Sequence, residues 1–217
     1  SPRYLRLLEV IPIKETDPNV MDFFMNFGDV TLGKQTVLCK DTPAFIANRI
    51  GVMSGTALVH LTIDYKMSIE EVDAITGPLI GRPNTATFKL QDLVGLDTSE
   101  KVTSFVVSAV KNDDFFKDIK DKETPSFMSF LLKNKFYGNK SGKGFYQKTK
   151  EKDSKGRSII NVLNLETLEY EKTVRPKLKI VKDGKSIQNI GKRLSFLISG
   201  NDRENLFLKE YFTSLFN

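Results

Sequence analysis

KDTPAFIANRIGVMSGTALVHLTIDY, residues 40–65, decides the fold. It reads as the start of one long helix, with Asp41 and Thr42 as cap residues and Pro43 in the first turn. Asn48 falls three residues after Phe45 and four before Val52, bordering the apolar face, where a polar side chain needs a partner. Gly51 and Gly55 lie one turn apart in mid-helix, so they read as permitting close helix packing rather than binding phosphate. From residue 41 onward the chain changes to helical character.

Upstream, Leu5–Ile11 reads as a short apolar strand ended by Pro12. Asp17-Pro18 then opens a helix with Val20, Phe23, Phe24 and Phe27 at helical spacing, closed by Gly33, and Gln35–Lys40 reads as a second strand. This strand-helix-strand unit cannot bury both faces of a two-stranded sheet by itself.

Downstream, Ser68 and Glu71 form a capping-box pattern before a helix that Gly77 or Gly81 terminates. Further helices are expected through ATFKLQDLVG, after Asp97-Thr98 (Val102, Phe105, Val106, Ala109, Val110), and from Thr124-Pro125 to Leu132. Between Lys133 and Lys185 the helical period is lost, and SIINVLNLETLEY predicts a β-hairpin. Ile187, Ile190, Leu194, Leu197 and Ile198 then restore a helical face, and Gly200-Asn201 separates it from a final helix.

Composition narrows the function classes. Forty per cent hydrophobic residues over 217 suffice for a core, while no window reaches the roughly 18 apolar residues of a membrane span. No signal-peptide layout is present, so a cytoplasmic location is the default. The single cysteine, Cys39, excludes an intramolecular disulfide, and with only one histidine, His60, a zinc cluster is not expected. Lys133–Arg193 carries 17 Lys or Arg against 6 Asp or Glu, an excess of +11 that leaves the remainder at −5. Such an excess could attract phosphates, but it reads first as a solvated surface.

LLEVIPIKETDP, then KDTPAFIANRI, GRPNTATFKLQDLVGLDT and KSGKGFY, in this order and spacing, resemble the 3-hydroxyacyl-CoA dehydrogenase family in its multidomain bacterial form. The resemblance implies NAD-dependent oxidation of a 3-hydroxyacyl-CoA in fatty-acid β-oxidation. A Rossmann domain would hold NAD, and a helical domain would enclose the substrate. No G-x-G-x-x-G follows any predicted strand, so the NAD site is expected in a domain missing from this chain. The family's catalytic histidine is likewise expected upstream of Ser1, and His60 is read as a surface or interface residue. By position, Glu9 matches the carboxylate that orients that histidine, and Asn48 the asparagine beside the substrate's 3-oxygen. Read without the family, Glu9 is a charged strand residue and Asn48 a satisfied helix residue.

The expected fold is mainly α: a Rossmann-edge remnant at 1–40, a helical dehydrogenase domain at 41–133, a linker with a β-hairpin at 134–185, and a small helical end at 186–217, read as a degenerate second copy of the helical domain. Acyl-CoA, the chain's own Rossmann domain and further copies of the chain are the expected partners, with no nucleic acid and no membrane span, and the chain alone is expected to be inactive. The rival readings are a non-catalytic helical interaction module and, lacking any recognition motif, a basic nucleic-acid-binding protein.

Overall fold

The first elements follow the expected strand-helix-strand order. In the computed structural model, which describes residues 3, 5–110 and 123–216, β1 (Leu7–Val10) and β2 (Gln35–Leu38) pair in parallel, with Leu7 opposite Gln35 and Val10 opposite Leu38. Between them runs α1 (Pro18–Asn26), continued by a π-helical turn, Phe27–Thr31. The Asp17 side chain accepts the Asn19 N–H at 2.8 Å, and Pro18 occupies a first-turn position where its missing N–H costs nothing. Gly28 lets this turn rest on the strands, since a Cβ there would sit 2.2 Å from Thr36 Cγ2 and 2.8 Å from Leu8 Cδ2. Phe23, Phe24, Leu7 and Leu38 remain exposed, as two strands and one helix dictate.

The chain divides into two compact units between Val52 and Met53, within helix α2 (Ala47–Asp64). The second unit is mainly α. After α2 come α3 (Ile69–Ile75), α4 (Phe88–Val94), α5 (Leu96–Ala109) and α6 (Ser126–Lys133). The capping box at Ser68 is formed in full, Glu71 N–H to Ser68 Oγ at 3.2 Å and Ser68 N–H to Glu71 Oε2 at 2.9 Å. Strands β3 (Tyr146–Lys152), β4 (Ser158–Leu163) and β5 (Tyr170–Lys172) form an antiparallel sheet, and α7 (Lys179–Lys185), α8 (Ile190–Ser199) and α9 (Arg203–Phe216) follow. One core gathers Leu58, Val72, Phe88, Leu131, Phe145, Leu163, Leu197 and Phe207, so residues of the strands and of the last helices pack with those of α2–α4.

Several local expectations are corrected. The hairpin β4–β5 exists but belongs to a three-stranded sheet. Its third strand, YQKTKEK, is hidden because it has no β-branched or aromatic run beyond Tyr146 and Thr149, and because the strand is irregular between Lys148 and Lys152. Helix α7 carries five polar or glycine residues in seven, too short and polar a run to reveal a period. In α5 only Val106 of the stripe is buried, while Val102 and Phe105 stay exposed. Helix α2 begins at Ala47, not after Thr42. The Phe45 N–H bonds the Thr42 carbonyl at 3.0 Å, with Ala44 and Phe45 in left-handed backbone (φ 65° and 50°), so Pro43 opens a type II turn instead of a helix.

Two buried carboxylates tie the second unit together. Asp73 on α3 accepts the N–H groups of Thr87 (3.0 Å), Phe88 (2.7 Å) and Lys89 (3.3 Å), capping α4 from another helix, and also the Tyr146 hydroxyl (2.8 Å). Asp92 on α4 accepts the N–H groups of Phe145 (2.9 Å) and Tyr146 (2.8 Å). Charge-assisted bonds of this kind contribute about 1.5–3 kcal/mol each. They explain Gly144 of KSGKGFY and the nearby Gly138. A Cβ on Gly144 would lie 2.1 Å from Asp92 Oδ1, and one on Gly138 would lie 2.4 Å from the Asp92 carbonyl oxygen.

Gly144→Ala is therefore expected to cost about 1–3 kcal/mol or more, from overpacking and loss of the Asp92 bonds. Gly51→Ala, with open space around the glycine, should raise stability by about 0.5–1 kcal/mol. Thermal unfolding of the two variants checks the contrast, and equal shifts would show that Gly144 is not a close-approach site.

Burial pushes Asp92 up to about 6, against the pull of the Tyr146 and Phe145 amides, and Asp73 adds to the rise. The folded chain thus holds this proton between about pH 4 and pH 6, where the unfolded chain releases it. Stability from Asp92 is fully present below about pH 4 and falls by about 3 kcal/mol as pH rises through 6. Urea titrations should show the gap between wild type and Asp92→Asn shrinking from pH 4 to pH 7. A gap independent of pH would contradict this.

Candidate functional site

The two residues singled out in the sequence meet one short stretch of chain. Glu9 lies on β1 opposite Val37 of β2. Beyond the strands, the Cys39 N–H bonds the Val10 carbonyl at 2.8 Å, and the chain then turns through Thr42–Phe45 into α2. Glu9 Oε1 accepts two successive amides at the start of that helix, from Ile46 at 3.0 Å and from Ala47 at 2.8 Å. Asn48 is the next residue, exposed in the first turn of α2.

This contact supplies what the helix lacks locally. The first amides of a helix have no acceptor within it, and Ile46 offers no side-chain oxygen. Thr42, the expected cap, directs its hydroxyl to the Lys40 carbonyl at 3.5 Å, and Asp41 is exposed. A carboxylate at a helix N-terminus also meets the positive end of the helix dipole, worth about 0.3–1 kcal/mol near the surface. Glu9 is therefore more than a charged strand residue. The cap could not be read from the sequence, because 37 positions separate Glu9 from Ile46; the local signal was only negative, an apolar residue where a cap should stand.

The same site contains Cys39. Burial, and then the charge of Glu9, push its thiol upward, the opposite of what a nucleophilic thiolate requires. Its carboxylate neighbour and the Asn48 amide have a different chemistry, suited to holding a protonated base and donating to an oxygen. Glu9 stands one residue before the carboxyl end of β1 and Asn48 lies beyond the carboxyl end of β2, the side on which open α/β sheets bind ligands.

The other sequence candidates have structural roles or none in this site. Gly55 would place a Cβ 3.3 Å from Gln91 Nε2, consistent with helix contact, whereas a Cβ at Gly51 would meet nothing within 4 Å among the described residues, which removes the packing reading there. His60 is half-buried in α2. Within the lysine-rich segment, Lys143 Nζ sits 4.2 Å from the ring centres of both Phe136 and Tyr170, Lys140 pairs with Asp97, and Arg157 bonds Asp153 at 2.8 Å. These charges serve local structure.

Among the described residues no cluster of three His, Cys, Asp or Glu is placed to hold a metal, and no helix is long and apolar enough to cross a membrane. A dinucleotide does not fit the residues present. The loop after β1, Ile11–Asp17, contains no glycine through which a pyrophosphate could approach, and β1–β2 is the only parallel pair among the described residues.

Comparison with known proteins adds to this geometry. The family described as 3-hydroxyacyl-CoA dehydrogenase, C-terminal domain, matches residues 45–148. A Bacillus subtilis protein named "Probable 3-hydroxyacyl-CoA dehydrogenase" is 40% identical over 206 residues, 95% of this chain and 25% of its own length. A Deinococcus radiodurans protein of the same name is 41% identical over 156 residues, 72% of this chain and 43% of its own. A Rickettsia prowazekii protein, named as a fatty acid oxidation complex trifunctional enzyme, is 32% identical over 170 residues, 78% of this chain and 23% of its own. The chain thus spans between about a quarter and under half of these relatives. With its motifs in the family's order and its mainly α fold, the chain belongs to the 3-hydroxyacyl-CoA dehydrogenase family, with residues 45–148 forming that family's C-terminal domain.

Proposed function

We propose that the whole protein containing this segment oxidises a 3-hydroxyacyl-CoA to the 3-oxoacyl-CoA with NAD in fatty-acid β-oxidation, in the cytoplasm. Within that protein the segment encloses the acyl-CoA and mediates association. The observation that carries this reading is the juxtaposition of Glu9 with the first turn of α2, which holds Asn48, past the carboxyl ends of β1 and β2. The alcohol proton passes to an imidazole that the family resemblance assigns to the domain holding NAD. Glu9 orients that imidazole and stabilises its charged form, as carboxylates do in catalytic dyads. The Asn48 amide donates to the 3-oxygen as it becomes a carbonyl. Because no part of the described residues fits a dinucleotide, hydride transfer is assigned to the NAD-binding domain, and the 217-residue chain alone is inactive.

Association is favoured by apolar side chains in solvent: Phe23 is 61% exposed, Leu93 59% and Phe105 57%. The same surfaces are what a purely interacting helical module would present, and enzyme kinetics separate the two readings.

In the whole protein, Asn48→Ala should lower kcat by about 10²-fold with little change in KM, since the amide acts on charge that develops in the transition state. Steady-state kinetics with a 3-hydroxyacyl-CoA, beside thermal unfolding of the same variant, checks this. Normal kcat with a lowered Tm would remove Asn48 from the site.

NADH fluorescence titration of the 217-residue chain should show no saturable binding. Micromolar affinity would overturn the assignment of the cofactor to another domain.

A further inference from the structure

We infer that Glu9 is a positioning residue for Asn48: its carboxylate clamps the first turn of α2 to the carboxyl end of β1 and so sets where the Asn48 amide stands. The inference rests on the roles given to Glu9 and Asn48 above and adds a coupling between them. Three observations carry it.

The clamp is made by one oxygen. Glu9 Oε1 takes both the Ile46 and Ala47 amides, which fixes the rotation of the carboxylate and leaves Oε2 for the imidazole. One carboxylate therefore serves the base and the oxyanion donor together.

Within itself the turn before the helix is closed by one backbone bond, Phe45 N–H to the Thr42 carbonyl at 3.0 Å. Ala44 and Phe45, neither of them glycine, stand at φ 65° and 50°, a conformation that persists where surrounding contacts impose it. The Thr42 hydroxyl turns to Lys40 and Ile46 has no side-chain acceptor, so it is Glu9 that ties this turn and the helix start to β1.

Asn48 immediately follows Ala47, whose amide is one of the two held, and its side chain is exposed. Its place is set by the backbone of this turn and not by packing around the side chain. A shift of about 1 Å in such a donor is enough to cost on the order of 10²-fold in rate.

The test separates reach from charge. Glu9→Asp keeps the anion but is one methylene too short for the two amides, whereas Glu9→Gln keeps an accepting oxygen and loses the charge. In the full-length protein, Asn48→Ala should lower kcat about 10²-fold in the wild-type and Glu9→Gln backgrounds, and less than about fivefold in Glu9→Asp, where Asn48 is already displaced. The same loss in all three backgrounds would overturn the inference. Hydrogen–deuterium exchange of the peptide spanning residues 44–52, in the same proteins, reads the clamp without reference to catalysis. It should be at least about tenfold faster in Glu9→Asp than in wild type, and unchanged exchange would overturn the clamp itself. Faster exchange with no effect of Asn48→Ala in the wild type would support the clamp and instead remove the catalytic role of Asn48. Should Glu9→Asp not fold, Ala47→Pro deletes the 2.8 Å donor at a helix position that favours proline, and it carries the same expectations.

Discussion

Backbone amides that find no acceptor in their own element are satisfied in this protein by carboxylates reaching across from another, and the rest of the structure depends on those contacts. Glu9 takes the amides of Ile46 and Ala47, Asp73 those of Thr87, Phe88 and Lys89, and Asp92 those of Phe145 and Tyr146. Asp29 repeats the device on Thr36, whose amide it accepts at 2.9 Å. An unmet buried amide costs about 1–3 kcal/mol, so Asp73 and Asp92 remove that penalty, while Glu9 and Asp29, at more exposed amides, chiefly fix the approach of two elements.

The device explains why distant motifs travel together. GRPNTATFKLQD holds the amides that Asp73 caps and the Asp92 that receives the amides of KSGKGFY, so each fragment completes another's hydrogen bonds. Tyr146 closes the circuit, with its N–H on Asp92 and its hydroxyl on Asp73. The glycines at 138 and 144 follow from the same contact, because a side chain at either position would occupy the space Asp92 needs. A family resemblance built on these fragments is therefore a resemblance of packing as well as of chemistry.

Burial divides these carboxylates by role. Asp73 and Asp92 are nearly inaccessible and are raised by desolvation, yet their partners are the chain's own amides, Tyr146 and, for Asp73, Lys89 at 4.0 Å, so their perturbation marks structure rather than catalysis. Glu9 is less buried, stands near the carboxyl end of β1, and uses one oxygen for both its amides. That combination leaves it able to act on a second group, which Asp92 is not.

The amino-acid sequence by itself determined the features that depend on near neighbours. The Asp17-Pro18 helix start, the Ser68–Glu71 capping box, the order strand-helix-strand and the β4–β5 hairpin were all legible, because each element is settled within a few residues by capping, periodicity or turn chemistry. The order of the longer motifs pointed to the family and to Glu9 and Asn48. Only the tertiary structure decided where α2 begins, that a lysine-rich stretch forms β3, and that Gly144 rather than Gly51 is a close-approach glycine. It alone also joined Glu9 to the turn bearing Asn48. The physical reason for β3 is pairing with a neighbouring strand that its own charged sequence does not announce, and for the others contact between distant residues: a hydrogen bond between residues 37 or 53 positions apart leaves no periodic trace in the chain, and it exists only once both elements are folded.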